Sequence, residues 1–327
     1  MRQEKKMKYQ RRRRLVRWFF LAGMVACLIP IGRSYLVSRQ HKAQQDALKR
    51  MVEMSQETAE SNIDNANMSG EALAADSNIS GRQTDETGQA GSSAGEQTDG
   101  NNSGERADSN SAGEQTDGNS DPQEAPEPAM LRKYAALYQE NEDLVGWLSI
   151  DGTGIDYPVL QCEDDEYYLH HDFYGEDSKY GCLYVREQAD LDGGTNFIIY
   201  GHNMRDGAMF GDLDLYLKES FFQEHPTISF DTLYEERVYE IAAVFRSQVY
   251  HAEDEVFKYY QFYEADTREE FEDFYRNIKA LSIYDTGVEA EFGDTFLTCS
   301  TCAYHVEDGR FVVVAKRRKE QETTVIY

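Results

Sequence analysis

The chain has 327 residues, with 33 Lys plus Arg against 60 Asp plus Glu and a formal net charge of −27. That acidic excess excludes a phosphate-neutralising nucleic-acid surface, and five cysteines are too few and too scattered for a disulfide-stapled small domain. The charge is also uneven: residues 1–50 carry a net +12, which leaves −39 on the other 277.

At the N-terminus, Lys5, Lys6, Lys8, Arg11, Arg12, Arg13, Arg14 and Arg17 precede "WFFLAGMVACLIPIG", fifteen residues without a charge, followed by Arg33 and the apolar Tyr35, Leu36 and Val37. A bilayer core needs about 20 apolar residues and flanking arginines can snorkel, so residues 15–37 read as a membrane anchor. Residues 1–14 then stay cytoplasmic and the acidic bulk lies outside the cell membrane, a single-pass arrangement. A cleaved signal peptide would need a small-x-small site that "IPIGRSYLV" does not offer, and Met24 is atypical for a lipoprotein box ending at Cys27.

Residues 39–60 read as a helix leaving the membrane. From about Ser61 the composition turns to Gly, Ser, Asn, Asp, Glu and Gln, and "SAGEQTDGN" occurs twice, from Ser93 and from Ser111. Such a segment cannot bury enough apolar surface to offset its ordering entropy. Residues 38–128 are therefore expected to be a largely disordered extracellular linker, with a random-coil reach of roughly 45 to 50 Å for its nearly seventy polar residues.

Residues 129–327 are expected to fold. Leu131, Tyr134, Leu137 and Tyr138 sit at helical spacing, so a helix leads this domain. Eight short apolar runs follow: "GWLSI", "DYPVL", "GCLYV", "NFIIY", "TISF", "VYEIAAVF", "TFLTCSTC" and "RFVVVAKR". Broken by turn residues at this spacing, they predict a mostly β, mostly antiparallel closed barrel or a sandwich. One helix interrupts them, with Thr267 and Glu270 as its capping box and Phe271, Phe274, Tyr275, Ile278 and Leu281 as its apolar face.

The chemistry concentrates in "TFLTCSTCAYHVEDGRFVVVAKRR", Thr295 to Arg318. One reading is a dithiol or metal site from Cys299 and Cys302. On a strand, residues three apart lie about 10 Å apart on opposite faces, whereas a disulfide needs Cα atoms within about 7 Å; a zinc site would need two more ligands. The other reading makes Cys302 a lone nucleophile, which needs a proton donor for the leaving group and positive charge where an oxyanion develops. Arg310 is the candidate charge, since "AYHVEDGR" can turn and return it beside Cys302; an exposed strand-start arginine is the plainer alternative. The histidine could be His170, His171, His202, His225, His251 or His305. His202 stands out because it follows "TNFIIY" in a polar loop that a strand would position, yet spacing alone leaves that choice open.

"TCSTC" at 298–302, with Arg310 after it, resembles the TLxTC signature of sortases. "YGHNMRDGAMFGDL" is similar to the histidine loop of class B sortases, and "VGWLSIDGTGIDYPVLQ", "YYLHHDF" and the helix near 267–281 also match. The resemblance, from about Ala129 to Arg318, implies a sortase-type closed eight-stranded β-barrel with N-terminal helices and one inserted helix before the catalytic strand. It implies a membrane-anchored cysteine transpeptidase that cleaves an NPxTx-like C-terminal sorting signal after Thr. Transfer then runs through a thioacyl intermediate to a peptidoglycan amine. Cys302, His202 and Arg310 would be catalytic, Ser300, Thr301 and Leu169 would line the substrate groove, and no cofactor or metal is implied. The implied partners are secreted proteins bearing the sorting signal, the peptidoglycan precursor or cross-bridge, and the membrane. A class B-type pilin polymerase using a pilin lysine, or an inactive surface-binding domain, are the alternatives. Cys299 stands where the signature has leucine and reads as a small core residue; Asp165 stands where relatives often have Asn. Asn203 and Asp206 either orient the histidine loop or cap its turn, the cap being the plainer reading.

Overall fold

The structure, a computed structural model, describes residues 28–29, 32–58, 128–303 and 306–319. The basic segment 1–14, most of the expected anchor and the polar linker beyond residue 58 lie outside the described residues.

All eight apolar runs form strands: β1 (Leu144–Ser149), β2 (Asp156–Leu160), β3 (Leu183–Val185), β4 (Asn196–Tyr200), β5 (Thr227–Thr232), β6 (Val238–Gln248), β7 (Phe296–Cys302) and β8 (Gly309–Arg317). They close into a barrel in the order β1-β2-β3-β4-β7-β8-β6-β5, which decides barrel over sandwich. The β2–β3 and β4–β7 pairs are parallel and the other six antiparallel. Among the described residues five α-helices accompany them: α1 (residues 32–58), α2 (Arg132–Glu140), α3 (Tyr167–His170), α4 (Glu219–Glu224) and α5 (Arg268–Leu281).

Strand alternation sorts two apolar layers. Leu148, Val159, Phe197, Ile199, Phe230, Leu297, Cys299 and Val313 fill the barrel. Ile198, Phe245, Phe296, Val312 and Val314 point outward against Phe271, Phe274 and Ile278 of α5. Being covered on both faces, β4 and β8 carry unbroken apolar runs at residues 197–200 and 311–315 instead of alternating ones, and β7 is buried up to Thr301. The expected capping box opens α5, with Thr267 and Glu270 bonding each other's backbone N–H. Leu281, expected on its apolar face, is instead 43% exposed, at the last residue of the helix.

The expected linker begins too early at residue 38. Residues 38–58 belong to α1, which folds as one unit with the barrel. Leu48, fully buried, packs with Tyr134, Leu137, Trp147 and Phe173, and Met51 and Val52 pack beside it. Gln44 donates to Asp172 at 2.9 Å and Lys49 pairs with Asp156 at 2.9 Å. His41, Gln45, Leu48 and Val52 recur at three- and four-residue spacing, which places them on one helical face. Among the described residues no helix is long and apolar enough to cross a membrane.

Candidate active site

The register of three strands assembles one rim of the barrel. β7 and β8 are antiparallel with Cys302 directly opposite Arg310, and opposite residues on one face carry their Cβ atoms about 5 Å apart. β4 runs parallel to β7 with Tyr200 beside Ser300, so the chain leaving β4 delivers His202 to the rim where β7 delivers Cys302. Gly201 makes this passage possible: a Cβ there would lie 2.4 Å from Leu183 and 2.9 Å from Phe210. Its backbone N–H continues the ladder to Ser300 O at 3.3 Å.

Cys302, His202, Arg310, Leu169, Ser300 and Thr301 all line one cleft of about 830 Å³. Cys302, His202 and Arg310 are each half-buried. Arg310 donates to the carbonyls of Asp308 at 3.2 Å and Gly309 at 3.0 Å, both in its own turn, which leaves the rest of the guanidinium's donor fork for a ligand. His202 Nε2 lies 2.8 Å from the carbonyl oxygen of Leu169. A carbonyl only accepts, so Nε2 carries the hydrogen and Nδ1 is the open nitrogen of the neutral ring.

Ser300 and Thr301 are nearly fully buried and their hydroxyls are engaged within the protein. Thr301 donates to the Gly201 carbonyl at 2.7 Å, and Ser300 bonds the Tyr259 hydroxyl at 2.8 Å. The Asn203 amide donates to the Cys302 carbonyl at 2.9 Å, tying the histidine loop to the end of β7. Of the described histidines only His202 lines the cleft. His171 stacks on Tyr167, His225 packs against Phe221, His251 is exposed, and His305 lies outside the described residues.

Cys299 is fully buried in the barrel interior, and burial pushes its thiol well above the ordinary range. It is free, as is Cys302, and the strand parity that separates them removes the dithiol reading. Among the described residues no group of His, Cys, Asp and Glu is placed to hold a metal.

The cleft wall also contains residues that carry no local sequence signal: Tyr184, Arg186, Tyr200, Tyr259 and Tyr263. Burial pushes the Tyr184 phenol up to about 12 and raises Tyr200 and Tyr259 further, so all three face the cleft as neutral phenols. The Arg186 guanidinium lies 5.1 Å over the Tyr200 ring and 3.6 Å from Asp165.

A closed barrel presenting a thiol opposite an arginine, with an imidazole on the same rim, defines a cysteine acyl-transfer class of site. Comparison with known proteins narrows that class: residues 148–318 match the family model of the sortase domain, and the chain belongs to the sortase family, the cysteine transpeptidases that attach surface proteins. It is 39% identical over 189 residues to Sortase B of Listeria monocytogenes, covering 55% of this chain and 72% of that one. To Sortase B of Staphylococcus aureus it is 32% identical over 187 residues, covering 56% and 74%. Among solved structures, sortase B from Bacillus anthracis superposes with a TM-score of 0.51 at 33% identity, covering 59% of this chain and 90% of that one. A Staphylococcus aureus sortase B-substrate complex gives 0.53 at 30% identity, covering 59% and 87%.

Proposed function

We propose that the protein is a membrane-anchored transpeptidase that cleaves an NPxTx-like sorting signal after Thr and passes the protein to a peptidoglycan amine. The observation that carries this reading is the β7–β8 register, which sets Cys302 opposite Arg310 in the cleft that His202 also lines. The Cys302 thiolate adds to the Thr carbonyl carbon, forming a C–S bond and a tetrahedral oxyanion that the Arg310 guanidinium holds. Collapse breaks the C–N bond, and protonated His202 gives the departing amine its proton from Nδ1. The Leu169 carbonyl keeps accepting from Nε2 throughout, so the ring exchanges its proton without turning. The incoming amine then attacks the thioester and returns a proton to His202, and the C–S bond breaks.

The anchor is supported by the first turns of α1 and the residues before them. Leu28, Ile29, Tyr35 and Leu36 are each more than half exposed, and Val37 is 39% exposed, an apolar run on the surface that suits lipid. In this reading α1 enters the bilayer directly from the folded unit, with residues 1–14 cytoplasmic and the cleft outside. The polar residues 59–127 connect α1 to α2, two helices of one unit, so their length does not set the distance between cleft and membrane. Leu169 acts through its carbonyl on His202, while Ser300 and Thr301 shape the groove wall.

The test is to incubate the full chain in detergent with quenched NPQTN, SPKTG and LPETG-type peptides, with and without an amine acceptor. Cleavage that Cys302→Ala abolishes supports the proposal. No cleavage of any peptide favours a surface-binding domain, and release only with a pilin lysine as acceptor favours a polymerase.

A further inference from the structure

The loop that carries His202 is braced at its two ends. Asn203 holds the first end to Cys302 O at 2.9 Å, and the Met209 N–H donates to the Tyr157 hydroxyl at 3.3 Å at the other. Between them stands Asp206, four residues after the histidine, where the turn passes through Gly207 at φ +83. Its Oδ2 accepts from Ser38 on α1 at 2.9 Å and from the Tyr180 hydroxyl at 2.7 Å. Tyr180 is only 1% exposed, and the His41 ring of α1 stacks on it at 4.0 Å and 7°. A rigid donor thus holds the carboxylate from the barrel side while α1 holds it from the other. Burial alone would raise the Asp206 pKa; bonds from Tyr180, Ser38 and the Ala208 backbone outweigh it and keep the carboxyl below its ordinary value.

We infer that Asp206 is a positioning residue for the transpeptidase reaction: it clamps the middle of the His202 loop to α1 and Tyr180, and so fixes the imidazole relative to Cys302. Ser38 follows directly on the exposed apolar run ending at Val37, so the clamp joins the catalytic loop to the helix at its membrane-facing end. The inference rests on the roles given above to Cys302 and His202. The charged and titratable groups around the clamp are Asp206, His41, Asp172, Lys179 and Asp212.

The experiment compares the full-length protein in detergent with its Asp206→Ala, Asp206→Asn and Tyr180→Phe variants. Two readouts are taken: kcat and KM on a cleaved sorting peptide, and the pH profile of iodoacetamide alkylation at Cys302, followed peptide by peptide by mass spectrometry. Misplacing a reacting group by a fraction of an ångström costs roughly tenfold in rate, so Asp206→Ala lowers kcat by about that factor with KM within about twofold. It also shifts the alkylation profile, because the imidazole moves within the cleft it shares with the thiol. Asp206→Asn keeps an oxygen acceptor for Tyr180 and restores most of both. A wild-type alkylation profile and kcat in Asp206→Ala overturn the inference, as does a loss that Asp206→Asn fails to rescue. If Asp206→Ala is unfolded by its melting curve, Tyr180→Phe decides: the same profile shift supports the clamp and an unchanged profile overturns it. Alkylation needs no substrate, so a wild-type protein that cleaves no peptide refutes the transpeptidase reading while the profile still judges Asp206.

Discussion

Acid should loosen α1 from the barrel, through one histidine. His41 is 8% exposed and neither of its ring nitrogens has a hydrogen-bond partner. Burial pushes its pKa down to about 4, against the raising influence of Asp206 and Asp172. An unfolded histidine titrates near 6.5, so as pH falls from 6.5 toward 4 the unfolded chain binds a proton that the folded one refuses. Stability from this group is therefore present above about pH 6.5 and is lost across that window, by about 2 kcal/mol at pH 5 and about 3 kcal/mol at pH 4. Other carboxylates titrate in the same range, so the informative quantity is the difference between wild type and His41→Phe. Phenylalanine can stack on Tyr180 in the same slot and strands no hydrogen-bonding partner, because His41 has none. Urea unfolding followed by the fluorescence of Trp147, which packs in the cluster under α1, measures it. Between pH 7 and pH 5 wild type should lose about 2 kcal/mol relative to the variant, about 1 M in urea midpoint at an m-value near 2 kcal/mol/M. Equal pH slopes for the two proteins would refute the reasoning.

Four further outcomes are expected. Cys299→Ala should keep wild-type turnover and cost about 1 kcal/mol of stability by its small cavity, read by kinetics and urea midpoint; loss of activity would mean that the buried thiol takes part. Thr301→Val removes the donor to the Gly201 carbonyl and leaves a buried acceptor unpaired, costing about 1–3 kcal/mol with a fall in kcat; an unchanged melting temperature would contradict that. Gly201→Ala forces a Cβ into Leu183 and Phe210 and should lower both melting temperature and activity by displacing His202. Arg310→Lys keeps the charge but not the planar fork and should lose most of kcat while binding substrate; near-normal kcat would show that charge alone suffices.

Much of the barrel could be read because each strand is an apolar run ended by turn residues, and the order of the runs did not have to be known to count them. Thr267 and Glu270 announced α5 through a local capping pattern. Cys302 and Arg310 were legible for a related reason: an eight-residue separation around a polar turn is a hairpin, and hairpin register is local. His202 could be placed only through its loop, since its meeting with Cys302 depends on the parallel pairing of β4 with β7 across about a hundred residues. The docking of α1 was missed because Leu48, Met51 and Val52 look sparse in a charged segment until His41 and Gln45 are counted on the same face. Asp206 looked like a turn cap because its partners, Ser38 and Tyr180, are distant in sequence. The tyrosines of the cleft wall come from three separate segments and share no pattern.

The central claim is that Cys302 takes the acyl group under Arg310 and His202. Intact and peptide mass spectrometry of the full chain, incubated with a cleaved sorting peptide in the absence of an amine, tests it directly. The account predicts an acyl adduct ending in Thr on the Cys302 peptide, absent in Cys302→Ala and strongly reduced in Arg310→Ala. An adduct on another residue, or undiminished turnover in Cys302→Ala, would contradict it.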